Sequence, residues 1–410
     1  MLNLKEVIFS ITNRCNLRCK MCDIPSGTIE ELSTEQWMNV IKDASCLGAQ
    51  TIVFSGGEPL LREDLFKLIS FTRKNNLSAC ITSNGHLINE LVAQSLHVSG
   101  ANVVNISIEG SRQTHDYLRG SGSFDKALAG LENLIKYKIE STIASTVSRY
   151  NYKDLLNLLE LAKDYGATTV RLQPFNAIFL KDAGRKSEFL IDKRDIQELD
   201  KIIRDFINLS KEYKISVNPM GYLLKIPVYL SGKNFYPDNC GALWYSCPIN
   251  PNGDLFPCWI EGANNKLIGN VKKESLHELW LSEKRMKMVN SIIRDGCKGC
   301  LMSCYDEAFN SKLLRESVVE NAKKFKKVAD YKKVMNKIVQ SFRSQITRLR
   351  LRYRFYISYR GSLFKVVARR LPNIFKKFRP LKQAKPAEKE VVLSQISQAK
   401  IKLKKAMRVL

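Results

Sequence analysis

The strongest constraint on this chain is an alternation. Short runs rich in β-branched and apolar residues fall at positions 7–11, 51–55, 78–82, 103–108, 141–147 and 168–173. Each reads as a buried strand. Between them, helical periodicity covers residues 33–46, 62–75, 90–99, 124–137 and 153–165, and 192–213 adds one more long helix. Ser33-Thr34-Glu35-Gln36 has the form of a capping box, and Trp37, Val40, Ile41 and Ala44 recur at helical spacing behind it. Strands that alternate with helices imply βαβ units, a parallel sheet and an α/β fold. In such folds the ligand site lies at the carboxyl ends of the strands, so the residues that follow each strand carry the functional argument.

Cys15, Cys19 and Cys22 follow the first strand with C-x3-C-x2-C spacing. Three thiolates on one loop can hold three corners of an iron–sulfur cube. A four-iron cluster normally takes four cysteines, so the fourth iron keeps an open site. A structural zinc loop, or three incidental thiols, are the competing readings. Gly56-Gly57-Glu58-Pro59 follows the second strand. Two glycines let a backbone approach a ligand closely, and Glu58 can accept from an ammonium group; an ordinary turn before a Pro-capped helix has the same residues. Ser83-Asn84-Gly85 and Ser107-Ile108-Glu109-Gly110 end the third and fourth strands, where short polar side chains suit ribose hydroxyls or a turn at positive φ.

Cysteines return at Cys240, Cys247, Cys258, Cys297, Cys300 and Cys304, with an Asn252-Gly253 hairpin signal among them. Either zinc or an iron–sulfur cluster suits such a set. Cys46 and Cys80 sit inside helix and strand patterns and read as core thiols. Eleven cysteines in tight groups point to metal ligands in a reducing cytoplasm rather than to disulfides. The N-terminus enters a strand almost at once and shows no signal peptide.

The cysteine loop, with Gly56-Gly57-Glu58-Pro59 one strand later, resembles the radical SAM superfamily. That resemblance implies a partial (β/α)6 barrel. It implies a four-iron cluster on Cys15, Cys19 and Cys22 whose open iron chelates S-adenosylmethionine (SAM), and reductive cleavage to a 5′-deoxyadenosyl radical that abstracts hydrogen from a substrate. It further implies that Gly56, Gly57, Glu58 and Pro59 bind the methionine amino group, and that Asn84, Ser107 and Glu109 face the ribose or carboxylate. A low-potential electron donor of flavodoxin or ferredoxin type is the expected partner. The family often has Asp where Glu109 stands and an aromatic residue where Met21 stands. Arg119-Gly120-Ser121-Gly122-Ser123-Phe124 resembles the loop before the fourth helix, and no role is assigned to Arg119. On the sixth strand, polar residues such as Arg171 could reach into the barrel, and no substrate contact is assigned.

Residues 238–304 resemble the SPASM/Twitch extension of the same enzymes, through the hairpin that ends in Pro257-Cys258, the Ile268-Gly269-Asn270-Val271 run and Ser275-Leu276-His277-Glu278-Leu279-Trp280. The resemblance implies at least one auxiliary four-iron cluster. Cys240, Cys258, Cys297 and Cys300 are its expected ligands; Cys247 and Cys304 are surplus, and either can serve as the fourth. The expected division is a barrel over 1–218, an auxiliary-cluster domain over 219–311 and a basic helical tail over 312–410. Peptides, small sugars or alcohols, and lipid-linked molecules are all compatible substrates.

The charge is concentrated at one end. Residues 312–410 hold 29 of the 66 Lys and Arg but only 5 of the 40 Asp and Glu, so the rest of the chain is close to neutral. Within residues 331–380, Val334, Ile338, Phe342, Ile346, Leu349, Tyr353 and Ile357 recur every three or four positions among arginines and lysines. That basic amphipathic pattern suits an anionic membrane surface and a peripheral position at its inner face. The charge alone also suits nucleic acid, but no recognition motif accompanies it. A second class of function is a non-catalytic iron–sulfur or zinc protein that binds a partner through this tail; Gly56-Gly57-Glu58-Pro59 argues against it, since a metal scaffold needs no SAM site.

Overall fold

The computed structural model describes residues 4–25, 29–232, 245–263, 266–295 and 300–302; Cys240, Cys297, Cys304 and the basic tail lie outside them. Six strands run parallel in chain order: β1 (Glu6–Thr12), β2 (Thr51–Gly56), β3 (Ser78–Ser83), β4 (Val103–Ser107), β5 (Glu140–Val147) and β6 (Thr169–Pro174). The short β7 (Ser216–Val217) adds to β6. Beyond β1, the sheet continues through β8 (Ser246–Ile249), β9 (Asp254–Leu255) and β10 (Gly269–Asn270). β8 pairs with β1 in parallel, Val7 opposite Cys247, so the cysteine-rich region is grafted directly onto the first barrel strand. β8 and β9 form the antiparallel hairpin that Asn252-Gly253 signals, with Gly253 at φ +92°.

The intervening helices are α1 (Thr34–Cys46), α2 (Leu65–Lys74), α3 (Glu90–Ser99), α4 (Arg112–Arg119), α5 (Ser123–Lys136), α6 (Leu155–Tyr165), α7 (Lys186–Phe189) and α8 (Ile196–Glu212). Ser33 closes the capping box on α1 as its spacing requires, a device that contributes about 1 kcal/mol. The helix expected at 62–75 begins later, because Pro59–Leu61 forms a short 3-10 turn first. α4 is a helix that periodicity did not reveal: it is short and strongly polar, and only His115 and Leu118 are buried.

The sequential parallel order makes each strand–helix–strand step a βαβ unit, and such units put their helices on one face of the sheet. Ile52, Phe54, Ala79, Ile81, Val104, Ile106, Val170 and Leu172 belong to the main apolar core. Trp37 of α1 is fully buried 4.5 Å from the Phe9 ring. Strand alternation turns Ser55, Thr82, Asn105, Ser107, Thr146 and Gln173 to the other face, where they are half-buried. The result is a sheet face that carries many of the chain's half-buried polar side chains. Cys80 lies there half-buried and accepts from the Asn105 amide, whereas Cys46, expected as a core thiol, is exposed at the last residue of α1.

Candidate functional site

The cysteine loop leaves β1 and is held at several points. Arg62 is 7% exposed; its guanidinium meets Asp64 and Glu31 and the carbonyl oxygens of Ile11 and Leu32, tying the loop's base to α1 and α2. Further along, Lys20 N–H donates to the Leu118 carbonyl at 2.8 Å, and Asp23 N–H to that of Phe179 at 2.8 Å. Arg185 bonds both the Lys20 carbonyl and the Asp23 carboxylate. Neither Arg62 nor Arg185 is marked in the sequence, because isolated arginines carry no local pattern.

Gly56 and Gly57 pack against this loop. Gly56 has φ +126°, and a Cβ there would sit 2.4 Å from the Thr12 carbonyl oxygen. Gly57 N–H donates to Thr12 and Glu58 N–H to Arg14, at 2.7 and 2.8 Å. The glycines thus let two strand-end backbones meet. Glu58 is fully buried, and its carboxylate accepts from the Ser83 hydroxyl, the Asn84 N–H and the Leu60 N–H at 2.9, 2.8 and 3.2 Å. Burial pushes its carboxyl up to about 7 against the pull of those donors. Pro59 is buried at the start of the 3-10 turn.

Asn84, held by Glu58, donates its amide to Asn16 at 2.8 Å and approaches the Cys15 sulfur at 3.9 Å. On the far side, Glu109 is fully buried and forms an ion pair with Arg119 at 2.5 Å. Its other oxygen accepts from the Ser145 hydroxyl and the Thr146 N–H, at 3.1 and 2.8 Å. Burial disfavours the Arg119 charge, but Glu109 and the nearby Cys19 more than compensate and raise its pKa. Arg119 Nη1 lies 3.9 Å from the Cys19 sulfur. α4 therefore delivers a cation to a cysteine a hundred residues away, a role visible only in three dimensions. Ser107 stands half-buried at the end of β4.

The three thiols suit a cluster. N–H donors from Leu17, Asn84 and Arg119 are aimed at Cys15 and Cys19, which favours thiolates. Burial pushes all three thiols up, Cys22 to about 11, so a bound cation is needed to keep them deprotonated. In an iron–sulfur cube each of the three thiolates would meet a different iron.

In the second cysteine group, Cys258 and Cys300 are buried in one small cluster with Ile260 and Met302, and Ile178, Phe179 and Trp259 pack against it. Glu261 N–H donates to the Cys258 sulfur at 3.3 Å. Cys247 is elsewhere: it is fully buried on β8 in the main core, and burial pushes its thiol up to about 12. The loop after β6 touches both groups. Phe175, Ala177 and Leu180 pack with Met21 and Cys19, while Ile178 and Phe179 pack with Cys258 and Cys300.

Comparison with known proteins adds to this geometry. Residues 9–168 match the family model of the radical SAM superfamily, and residues 240–305 match that of the SPASM iron–sulfur cluster-binding domain. The chain is 34% identical over 308 residues to Fe-coproporphyrin III synthase of Methanosarcina barkeri, covering 68% of this chain and 75% of the relative. It is 30% identical over 281 residues to mycofactocin maturase MftC of Mycolicibacterium smegmatis, covering 66% and 69%. The fold matches anSMEcpe with bound AdoMet at a TM-score of 0.57 and 20% identity, covering 70% of this chain and 82% of that one. It also matches Streptococcus suis SuiB bound to precursor peptide SuiA at a TM-score of 0.57 and 16% identity, covering 71% and 67%. At these identities the two solved structures support the fold alone.

Proposed function

Because the chain belongs to the radical SAM superfamily and carries a SPASM domain, and is thus an enzyme that uses SAM and iron–sulfur clusters, we propose that its work is hydrogen abstraction from a polar substrate held against the open face of β1–β6. The observation that carries this is the convergence of the cysteine loop, the Gly56-Gly57 contact, Asn84 and the Glu109–Arg119 pair at the carboxyl ends of four adjacent strands. When bound, the cluster and SAM supply one-electron cleavage and a 5′-deoxyadenosyl radical.

In this reading the chain's own residues orient and enclose. Cys15, Cys19 and Cys22 hold the cluster. Gly56, Gly57, Glu58 and Pro59 form the shelf for the methionine end of SAM, with the Glu58 carboxylate turned inward to lock Asn84 in place. Asn84 and Ser107 serve the ribose side, and Glu109 acts through Arg119. Cys258 and Cys300, with Cys240 and Cys297, hold an auxiliary cluster, Cys304 being the alternative fourth ligand. The position of Cys247 in the sheet core argues for a packing role instead. Domain limits near 218 and 311 remain our division.

For the substrate we favour a peptide. Ser55, Thr82 and Thr146 offer hydroxyl partners for main-chain groups, and Streptococcus suis SuiB, which shares the fold, was solved bound to a precursor peptide. A second reading, a tetrapyrrole, is favoured by the relative named Fe-coproporphyrin III synthase. The tail, by its composition, supports attachment to an anionic membrane.

Anaerobic reconstitution with iron and sulfide, followed by dithionite and SAM, tests the core of the proposal. 5′-Deoxyadenosine is expected from the native chain and not from Cys19→Ala; equal yields from both refute it. Stimulation of that yield by peptides rather than by an iron porphyrin separates the two substrate readings. Sedimentation with anionic vesicles, lost when residues 331–380 are removed, tests the tail.

A further inference from the structure

The segment that follows β6 is fastened at its root, where Phe175 N–H donates to the Val147 carbonyl at the end of β5, at 2.8 Å. From there its side chains diverge. Phe175, Ala177 and Leu180 pack with Met21 and Cys19, while Ile178 and Phe179 pack with Cys258 and Cys300. A single 3-10 turn, Ala177–Phe179, produces the split, because its neighbours point about 120° apart. Asn176 caps this turn: it is 8% exposed and accepts from Ile178 N–H at 3.1 Å. Its amide donates to the Tyr229 hydroxyl at 3.1 Å, and the Tyr222 hydroxyl donates to the Leu301 carbonyl, next to Cys300, at 3.0 Å. The other end of the segment is fastened to the cysteine loop through Asp23, the residue after Cys22. Asp23 N–H donates to the Phe179 carbonyl, and its carboxylate accepts from Lys181 N–H, both at 2.8 Å. The other carboxylate oxygen meets Arg185 at 3.2 Å, and Arg185 also bonds the Lys20 carbonyl.

From this juxtaposition we infer that Asp23 is a positioning residue, and that segment 175–185 is a strap which, through Asp23, couples the auxiliary cysteine site to the loop of Cys15, Cys19 and Cys22. The inference rests on the reading of Cys258 and Cys300 as auxiliary ligands. Asp23 adjoins Cys22 along the chain, and Phe179 adjoins Cys258 and Cys300 in space. The path from one group to the other therefore runs through one hydrogen bond and one side chain. Filling the second site fixes the thiols against which Ile178 and Phe179 rest. A packed interior has little room to absorb a shift, so the turn then holds Asp23, and Asp23 holds the direction in which the loop leaves Cys22. Coupling of this kind is reciprocal, and one contiguous set of contacts carries it.

The test uses the full-length reconstituted enzyme and follows the first cluster by electron paramagnetic resonance as SAM is titrated in. Cys258→Ser, which empties the second site, should raise the SAM concentration at half-shift roughly fivefold. Asp23→Ala should raise it by a similar factor, while iron counting shows both clusters kept. The double variant should be no worse than either single one, because both cut the same strap. Asp23→Asn, which keeps an acceptor for Lys181 N–H, should recover most of the loss. A residue that only supported the fold would move the urea midpoint and leave the half-shift concentration where it was. An unchanged half-shift in Asp23→Ala, or factors that multiply in the double variant, would overturn the inference. Should Asp23→Ala fail to fold, Arg185→Met loosens the same fastening from the strap side, and an unchanged half-shift there overturns it equally. Full iron in Cys258→Ser refutes Cys258 as a ligand instead, and Asp23→Ala still decides the strap. Absence of any shift in the native chain refutes the placing of SAM at this loop. Loss of the first cluster to a chelator, roughly fivefold faster in Asp23→Ala than in the native chain, then decides the strap without SAM.

Discussion

A Cβ built on Gly57 would stand 2.2 Å from the carbonyl oxygen of Arg14, inside any allowed contact. The loop that carries Cys15 and the end of β2 are therefore in backbone contact, and only glycine permits it. Gly57→Ala must break the Glu58-to-Arg14 hydrogen bond or displace the cysteine loop. We expect a stability loss of about 2 kcal/mol or more, and failure to assemble the first cluster while the auxiliary one is kept. Iron counting and electron paramagnetic resonance of the reconstituted variant check this.

Glu109 and Arg119 form a buried pair whose halves respond differently to removal. Glu109→Ala leaves Arg119 charged and unpaired, at an expected cost of about 3–5 kcal/mol. The double change Glu109→Leu with Arg119→Met removes both charges and should cost much less. Urea unfolding of the three proteins measures the difference, and a double variant as unstable as Glu109→Ala would contradict the pairing argument.

Glu58 links stability to pH. Its carboxyl is raised to about 7 in the folded chain from an ordinary value of 4.5, so the native state binds the extra proton. Its contribution is fully present below about 4.5 and is lost as pH rises toward 7. Glu58→Gln should flatten this slope, so that native and variant urea midpoints diverge between pH 5 and 7, on the order of a few kcal/mol at most. Parallel curves would show that Glu58 titrates normally.

The auxiliary cysteines separate by placement. Cys258→Ser should lower iron content by about four atoms per chain, the loss of one cluster. Cys247→Ser should keep that iron and lose only packing, about 1–2 kcal/mol. Equal iron loss from both would return Cys247 to the ligand set.

Much of this was legible in the chain itself. The alternation of β-branched runs and amphipathic helices announced a parallel α/β sheet, because strand and helix periods are local properties. The C-x3-C-x2-C spacing and Gly56-Gly57 were local too. α4 escaped because its polar surface hides the period, although Ser111 caps it as a helix start should be capped.

What the sequence alone determined was the inventory: which strands exist, that cysteines gather in two groups, and that Gly56 and Gly57 follow a strand. Tertiary structure decided the uses. It turned the Glu58 carboxylate inward to Asn84, brought Arg119 to Cys19, set Cys247 in the core and Cys258 beside Cys300, and let the loop after β6 touch both cysteine groups. The physical reason is that an ion pair, a buried hydrogen bond or an apolar contact depends on distance in space. Chain spacing specifies that distance only within one element, and the stacking of β1 to β6 supplies the rest.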